Sequence, residues 1–195
     1  ACAECTPSEA ESAVNNEVVD DQLSAADRFH LLIQPLPGNL AERYEHLGEK
    51  FATGYLLANS GETETALALF SELLATGEND ILLYEIALLR HRAGDLAACE
   101  ELLRRALALN GANPLCHLAL VHLLTETGRF EEAGKLLEAM IAQGILPDQA
   151  RMMLGDVYLE LGDEPKAIAT YSEIIQSPFG KEAAGKLIPL LEKCG

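Results

Sequence analysis

The sequence predicts an all-α protein in which antiparallel helix pairs stack on one another. Four glycines, Gly61, Gly94, Gly128 and Gly162, are spaced 33, 34 and 34 residues apart. A fixed period near 34 is typical of helix–turn–helix arrays. Leucine and alanine dominate the 195 residues, only 5% are aromatic, and tryptophan is absent, which favours helices over sheets. We therefore expect about four repeats, followed by a C-terminal capping helix.

The chain before the repeats divides into two segments. Residues 1–22 carry six acidic residues and no lysine or arginine. Such a composition predicts an acidic arm that cannot fold alone, with an arm docked on a partner as the alternative. Residues 23–38 predict a short helical or extended cap, which Pro35 and Pro37 end. Its apolar residues would cover the first repeat; they are Phe29, Leu31, Leu32 and Ile33.

The repeat array is predicted to span residues 39–177. Asn39 and Glu42 fit a capping box, so a helix should begin there and run to about Asn59. Later helices should begin near Pro114 and Pro147, because proline suits the first helical position. Ser177 and Pro178 open the predicted capping helix, residues 178–195, which Pro189 should kink.

From about residue 47 onward the chain resembles the tetratricopeptide repeat family. A small residue follows each turn glycine by five positions, and an apolar or aromatic residue follows four later. Small residues let the two helices of a repeat approach closely, and larger ones fill the space between repeats. The aromatic residue that the family has near the start of each repeat is replaced here by Lys50, Leu83, His117 and Arg151. The small residue after each turn glycine and the larger residue four positions later are Ala66 and Phe70, Cys99 and Leu103, Ala133 and Leu137, and Ala167 and Tyr171.

The resemblance implies a right-handed solenoid whose concave groove is lined by the first helix of each repeat. It therefore implies a non-catalytic protein–protein interaction scaffold that binds a helix or an extended peptide segment in an apolar groove. The groove lacks the basic set with which some family members clamp a C-terminal carboxylate. The alternative is that inter-helix packing or the chain's own tail covers the apolar residues. The predicted groove residues are Phe51, Tyr55, Tyr84, Leu88, His91, Leu118, His122, Met152 and Asp156.

The sequence does not predict an enzyme or a cofactor. It has no glycine-rich phosphate loop, no G-x-S-x-G and no HExxH pattern. His91, His122 and Asp156 are residue types that could bind zinc. Nothing in their spacing makes them converge, so we predict separate surface side chains and no metal site.

The five cysteines fall into two groups. Cys99 and Cys116 lie within helical patterns and should behave as small buried hydrophobic residues. Cys2, Cys5 and Cys194 lie near the ends of the sequence and are disulfide candidates, within one chain or between chains. A lipid anchor on Cys2 is the less favoured alternative.

The net charge and the cysteines near the two ends of the sequence predict the partner class and the location. The formal net charge of −17 argues against nucleic acid as a partner. No apolar run is long enough to span a membrane. The terminal cysteines suggest a periplasmic, cell-surface or extracellular location, with the cytoplasm as the alternative. The alternative function is therefore a self-assembling subunit of an extracellular or cell-surface filament, joined head-to-tail through the arm, the C-terminal helix and the terminal cysteines.

Overall fold

The computed structural model describes residues 23–194, with side chains through Glu192. This part of the chain holds eleven α-helices and no strand, and it forms two compact units that divide after Gly77. The first unit contains α1 (Ala25–Ile33), α2 (Leu40–Glu45), α3 (Gly48–Asn59) and α4 (Thr63–Leu74). The second contains α5 (Asp80–Arg92), α6 (Leu96–Leu109), α7 (Pro114–Glu126), α8 (Phe130–Ala142), α9 (Pro147–Glu160), α10 (Glu164–Glu173) and α11 (Gly180–Cys194).

The first unit is one helix pair, α3 and α4, with α1 and α2 packed against α3. Ser24 caps α1, because its Oγ accepts a hydrogen bond from the Asp27 N–H at 3.1 Å. Five aromatic rings then form the core of this unit, with centroids 5.5 to 6.3 Å apart. They belong to Phe29 of α1, Tyr44 of α2, Phe51 and Tyr55 of α3, and Phe70 of α4.

Three expectations for this unit are corrected. The predicted helix from Asn39 to Asn59 is interrupted between α2 and α3, because Gly48 adopts a left-handed φ of +83° that a right-handed helix does not continue through. Asn39 makes no side-chain capping bond. Of the apolar residues expected to cover the first repeat, Phe29 and Ile33 are buried. Leu31 and Leu32 instead remain 51% and 45% exposed on the outer face of α1.

The second unit stacks three helix pairs, α5–α6, α7–α8 and α9–α10, and α11 packs on α10. The turn glycines Gly94, Gly128 and Gly162 have φ between 72° and 77°, which suits the residue after a helix end. After α5, the Gly94 N–H donates to the His91 carbonyl at 2.8 Å and the Asp95 N–H to the Arg90 carbonyl at 2.9 Å. The glycine period therefore marks helix ends.

The predicted start of α7 is confirmed, and its cap also ties two repeats together. The Asn113 side chain accepts the N–H groups of Leu115 and Cys116, and Pro114 takes the first helical position. The Asn113 and Asn110 amides each donate to the Asp80 carboxylate at 2.8 Å. Asp80 is 3% exposed, so these bonds satisfy a buried charge at the start of α5.

The C-terminal helix differs from its prediction. α11 begins at Gly180 rather than at Pro178, after Ser177 Oγ accepts the Phe179 N–H at 3.1 Å. It then continues through Pro189 to Cys194. Its inner face joins a cluster with α9 and α10 that includes Met152, Tyr171, Ile174, Ala183 and Leu190.

Candidate functional site

The groove positions predicted in the first unit are closed. Phe51 is fully buried among the aromatic rings, and Tyr55 is half-buried with its ring 5.5 Å from that of Phe29 and 5.8 Å from that of Tyr44. The prediction that Phe51 lines an open groove is wrong, because α1 and α2 cover this face of α3. For this unit the alternative holds, in which packing between helices covers the apolar residues.

The groove positions of the second unit are mostly accessible. Tyr84, Leu88 and Leu118 are half-buried, and His122 is exposed. Met152 is the exception at 4% exposed, because it packs into the cluster beneath α11 rather than toward solvent. The open part of the predicted groove therefore lies on α5, α7 and α9.

An open cavity of about 600 Å³ lies where α7, α8 and α9 meet. We call it the groove cavity. Two of its residues, His122 and Asp156, belong to the predicted site. Its walls combine apolar and acidic side chains; they are Val121, His122, Thr125, Glu126, Phe130, Met153, Asp156, Val157 and Glu160.

The polar edge of the groove cavity carries net negative charge. Glu126 pairs with His91, whose Nε2 lies 2.6 Å from Oε2 of the carboxylate. Asp156 accepts a hydrogen bond from Tyr171 Oη at 2.5 Å and pairs with Lys186. Burial, followed by this bond to the Asp156 carboxylate, raises the pKa of Tyr171 well above its ordinary value, so the phenol remains a donor. Glu160 is exposed on the same edge.

These contacts engage two of the three residues considered for zinc. His91 is engaged by Glu126, and Asp156 by Tyr171 and Lys186. Across residues 23–194 no group of three or more metal-ligating side chains is placed to hold an ion. The edge of the groove cavity is therefore organised as ion pairs.

The sequence did not predict the apolar walls of the groove cavity. Val121, Phe130, Met153 and Val157 are not among the predicted groove residues. Met153 and Val157 flank Asp156 along α9, and Phe130 begins α8. Val121, Met153 and Val157 are sequence neighbours of predicted groove residues, and this is the signal that could have identified them. Phe130 has no such neighbour, and its place in the wall depends on packing between helices.

The first unit has a separate cavity of about 510 Å³ between α1 and α3. Its polar residues include His30 and Glu45, paired at 2.7 Å between Nδ1 and Oε1, and Asp27 and Glu49. None of the predicted groove residues lines it. It therefore lies apart from the predicted site.

Comparisons with known proteins agree with this architecture. Two family models, each described as tetratricopeptide repeat, match residues 90–144 and 118–181. The crystal structure of MamA is similar with a TM-score of 0.63 at 21% identity, covering 73% of this chain and 84% of that chain. YrrB, described as a TPR protein with an unusual peptide-binding site, has a TM-score of 0.59 at 20% identity, covering 70% of this chain and 72% of that chain. No curated protein matches the chain. At such identities the likeness shows the fold.

Proposed function

We propose that this chain, a tetratricopeptide repeat protein and protein–protein interaction scaffold, binds a peptide segment at the groove cavity. The segment would place an apolar side chain in the cavity and a lysine or arginine at its edge. The observation that carries the proposal is the cavity of about 600 Å³, whose apolar walls include Val121, Phe130 and Met153 beside the acidic Glu126 and Glu160. The description of YrrB as a protein with a peptide-binding site supports the general mode.

The two halves of the cavity would contribute differently. An apolar side chain that leaves water gains about 25 cal/mol for each Å² buried, so the walls would supply most of the affinity. Glu126 and Glu160 are exposed, so they would chiefly steer and orient a cationic segment. The net charge of −17 acts in the same direction, since it attracts basic partners and repels acidic ones.

A peptide-display selection on the full chain tests this proposal. A random library should yield peptides that carry an aliphatic or aromatic residue next to lysine or arginine, and their dissociation constants can be measured by fluorescence anisotropy. Met153→Asp should weaken binding of the selected peptides by at least ~10-fold, because it places a charge in the apolar wall. Glu160→Lys should weaken binding ~3- to 10-fold, with the loss reduced at high salt.

Glu131→Lys is the matched control. Glu131 is an exposed acid on α8 outside the groove cavity, and the substitution makes the same change in net charge as Glu160→Lys. Peptide affinity should change by less than ~2-fold. Selected peptides that bind wild type and Met153→Asp equally would contradict the groove cavity as the site.

The second candidate function is self-assembly into a filament. The observation that favours it is the exposure of Ile188 and Leu191 on α11. Cys2 and Cys5 lie outside the described residues, and Cys194 is the last residue of α11. We propose disulfides among them and a periplasmic, cell-surface or extracellular location as parts of this alternative. Non-reducing gels and electron microscopy should then show polymers that shorten with reductant, and monomers under both conditions would contradict it.

No helix among the described residues combines the length and apolar character needed to cross a membrane.

A further inference from the structure

The last helix, α11, repeats the register of the earlier first helices but not their burial. Ile188 follows Leu154 by 34 residues, and Leu154 follows Leu120 by 34. Leu120 and Leu154 are 2% and 5% exposed, whereas Ile188 is 55% exposed. Leu191 likewise follows Val157 by 34 residues, and the two are 50% and 2% exposed. Two positions that are buried in the earlier repeats are therefore open to solvent in α11.

The difference has a structural cause. The first helix of every complete repeat packs against a following second helix, as α5 does with α6, α7 with α8 and α9 with α10. Through residue 194 the structure has no such helix after α11, which is packed on α10. α11 thus has the place of a first helix after the α9–α10 pair, and an apolar face that no described helix covers is typical of a contact site.

The second helices of this chain share a pattern that a covering helix should satisfy. A residue at the N-terminal cap is followed after four positions by a small residue, and after eight and twelve positions by larger apolar residues. The pattern holds in all four repeats: Glu62, Ala66, Phe70 and Leu74; Asp95, Cys99, Leu103 and Leu107; Arg129, Ala133, Leu137 and Ile141; Asp163, Ala167, Tyr171 and Ile175.

The acidic N-terminal segment, which lies outside the described residues, carries the same pattern. Thr6 is followed at four, eight and twelve positions by Ala10, Val14 and Val18. Thr6 and Glu9 also have the spacing of a capping box, and proline at position 7 suits the first turn of a helix. The segment therefore carries the sequence pattern of the second helices.

Charge favours the same pairing. α11 contains three lysines and two glutamates, and it is the only one of the eleven described helices in which lysine and arginine together outnumber aspartate and glutamate. Residues 1–22 contain six acidic residues and no basic one. In a chain with a net charge of −17, this helix is the one most suited to an acidic segment.

We propose that residues 6–18 of a second copy dock on the exposed apolar face of α11 as a second helix docks on a first helix in the complete repeats. Val14 would lie near Ile188, and Val18 near Leu191. Each copy offers one donor segment and one acceptor helix, so the contact is heterologous. The inference gives the self-assembly alternative a specific contact, and it does not depend on peptide binding at the groove cavity.

Complementation between two variants tests the contact. Light scattering of the wild-type chain should give masses above the 21.0 kDa of one chain that rise with concentration. Ile188→Asp/Leu191→Asp removes the acceptor face and Val14→Asp the donor, and each variant alone should weaken assembly at least ~10-fold. Mixed together, the two variants retain one intact donor and one intact acceptor, and should form a 1:1 dimer that grows no further.

Leu109→Asp and Leu161→Asp are matched controls, because both leucines are exposed, at 52% and 40%, and lie off α11. They should leave assembly unchanged.

Amide exchange of residues 6–18 should be slow in the wild-type assembly and fast in the α11 variant. Wild type that is monomeric throughout, or a mixture that fails to form the dimer, overturns the proposal. Loss of peptide binding at the groove cavity with assembly intact would contradict only the groove proposal.

Discussion

The same face of the first helix in a repeat is closed in the first unit and open in the second. In α3 this face carries Phe51 and Tyr55, which α1 and α2 cover with Phe29 and Tyr44. In α7 it carries Leu118 and His122, which remain accessible beside the groove cavity. The repeat register therefore tells which way a residue faces, whereas the elements outside the repeats decide whether it meets solvent.

The aromatic residues explain why the first unit is closed. The chain has only five phenylalanines and five tyrosines, and five of these ten rings meet in one cluster. Edge-to-face contacts, such as Tyr44 with Phe51 at 79°, stabilise such clusters beyond their buried area. A face that is this apolar would be costly to leave open, so α1 and α2 act as part of the core.

The largest expected effect is on the free energy of unfolding, and it should differ between the two units. Phe51→Ala should lower the free energy of unfolding by about 3–5 kcal/mol, because it removes a fully buried ring from the cluster. Leu118→Ala changes the half-buried counterpart in α7 and should cost about 1 kcal/mol. Urea unfolding followed by circular dichroism measures both.

Amide exchange locates the loss within the molecule. Peptides from α3 and α4 should exchange faster in Phe51→Ala, while peptides from α8 and α10 keep their wild-type rates. If Leu118→Ala were as destabilising as Phe51→Ala, the groove face of α7 would belong to the core and the contrast between the units would be lost.

The repeat order was predictable from sequence because its signals are local. The spacing of Gly94, Gly128 and Gly162 marks helix ends at which a left-handed φ is needed, and Asn113 before Pro114 marks a cap. These features depend on a few neighbouring residues, so they can be read without knowing the packing.

The remaining features depend on contacts distant in sequence. The break before Gly48 lies in a segment whose composition suits one continuous helix. The bonds from Asn110 and Asn113 to Asp80 join residues about thirty positions apart. The burial of Phe51 depends on α1, which lies outside the repeat period, so the groove prediction was wrong at that residue.

The second expected loss of stability concerns one glycine in each unit, at a position where a buried aromatic ring packs closely against the helix. A Cβ at Gly54 would lie 2.7 Å from Cε1 of Phe70, and one at Gly155 would lie 2.4 Å from Cε1 of Tyr171. Both rings are fully buried and cannot move aside easily. Gly54→Ala and Gly155→Ala should therefore each destabilise the protein by about 1–3 kcal/mol in urea unfolding.

Gly134→Ala is the control for helix propensity. Gly134 lies within α8, and a Cβ there would meet its nearest neighbour, Val157 Cγ1, at an ordinary 3.6 Å. This change should stabilise the protein by about 0.5–1 kcal/mol, because alanine favours a helix over glycine. Equal effects at all three glycines would mean that the close approach to Phe70 and Tyr171 contributes nothing.

The smallest expected effect on stability comes from Cys99 in the second unit, and it depends on pH. Burial, followed by the charges of Glu126, Glu100 and Asp95, raises the pKa of the Cys99 thiol to about 11. In the unfolded chain a thiol ionises near pH 8.5 to 9. Between these values the unfolded state releases a proton that the folded state retains, so stability falls as pH rises. Residues 23–77 contain no cysteine.

Cys99→Ala isolates this contribution, because alanine already occupies the matching position in the other three repeats, at Ala66, Ala133 and Ala167. Tyrosine ionisation, including that of Tyr171, is common to both proteins and cancels in the comparison. Below pH 8 the two stabilities should therefore differ by a constant amount. From pH 9 to 10.5 the wild type should lose on the order of 1 kcal/mol more than Cys99→Ala, and parallel curves would mean that Cys99 ionises as readily in the fold as in the unfolded chain.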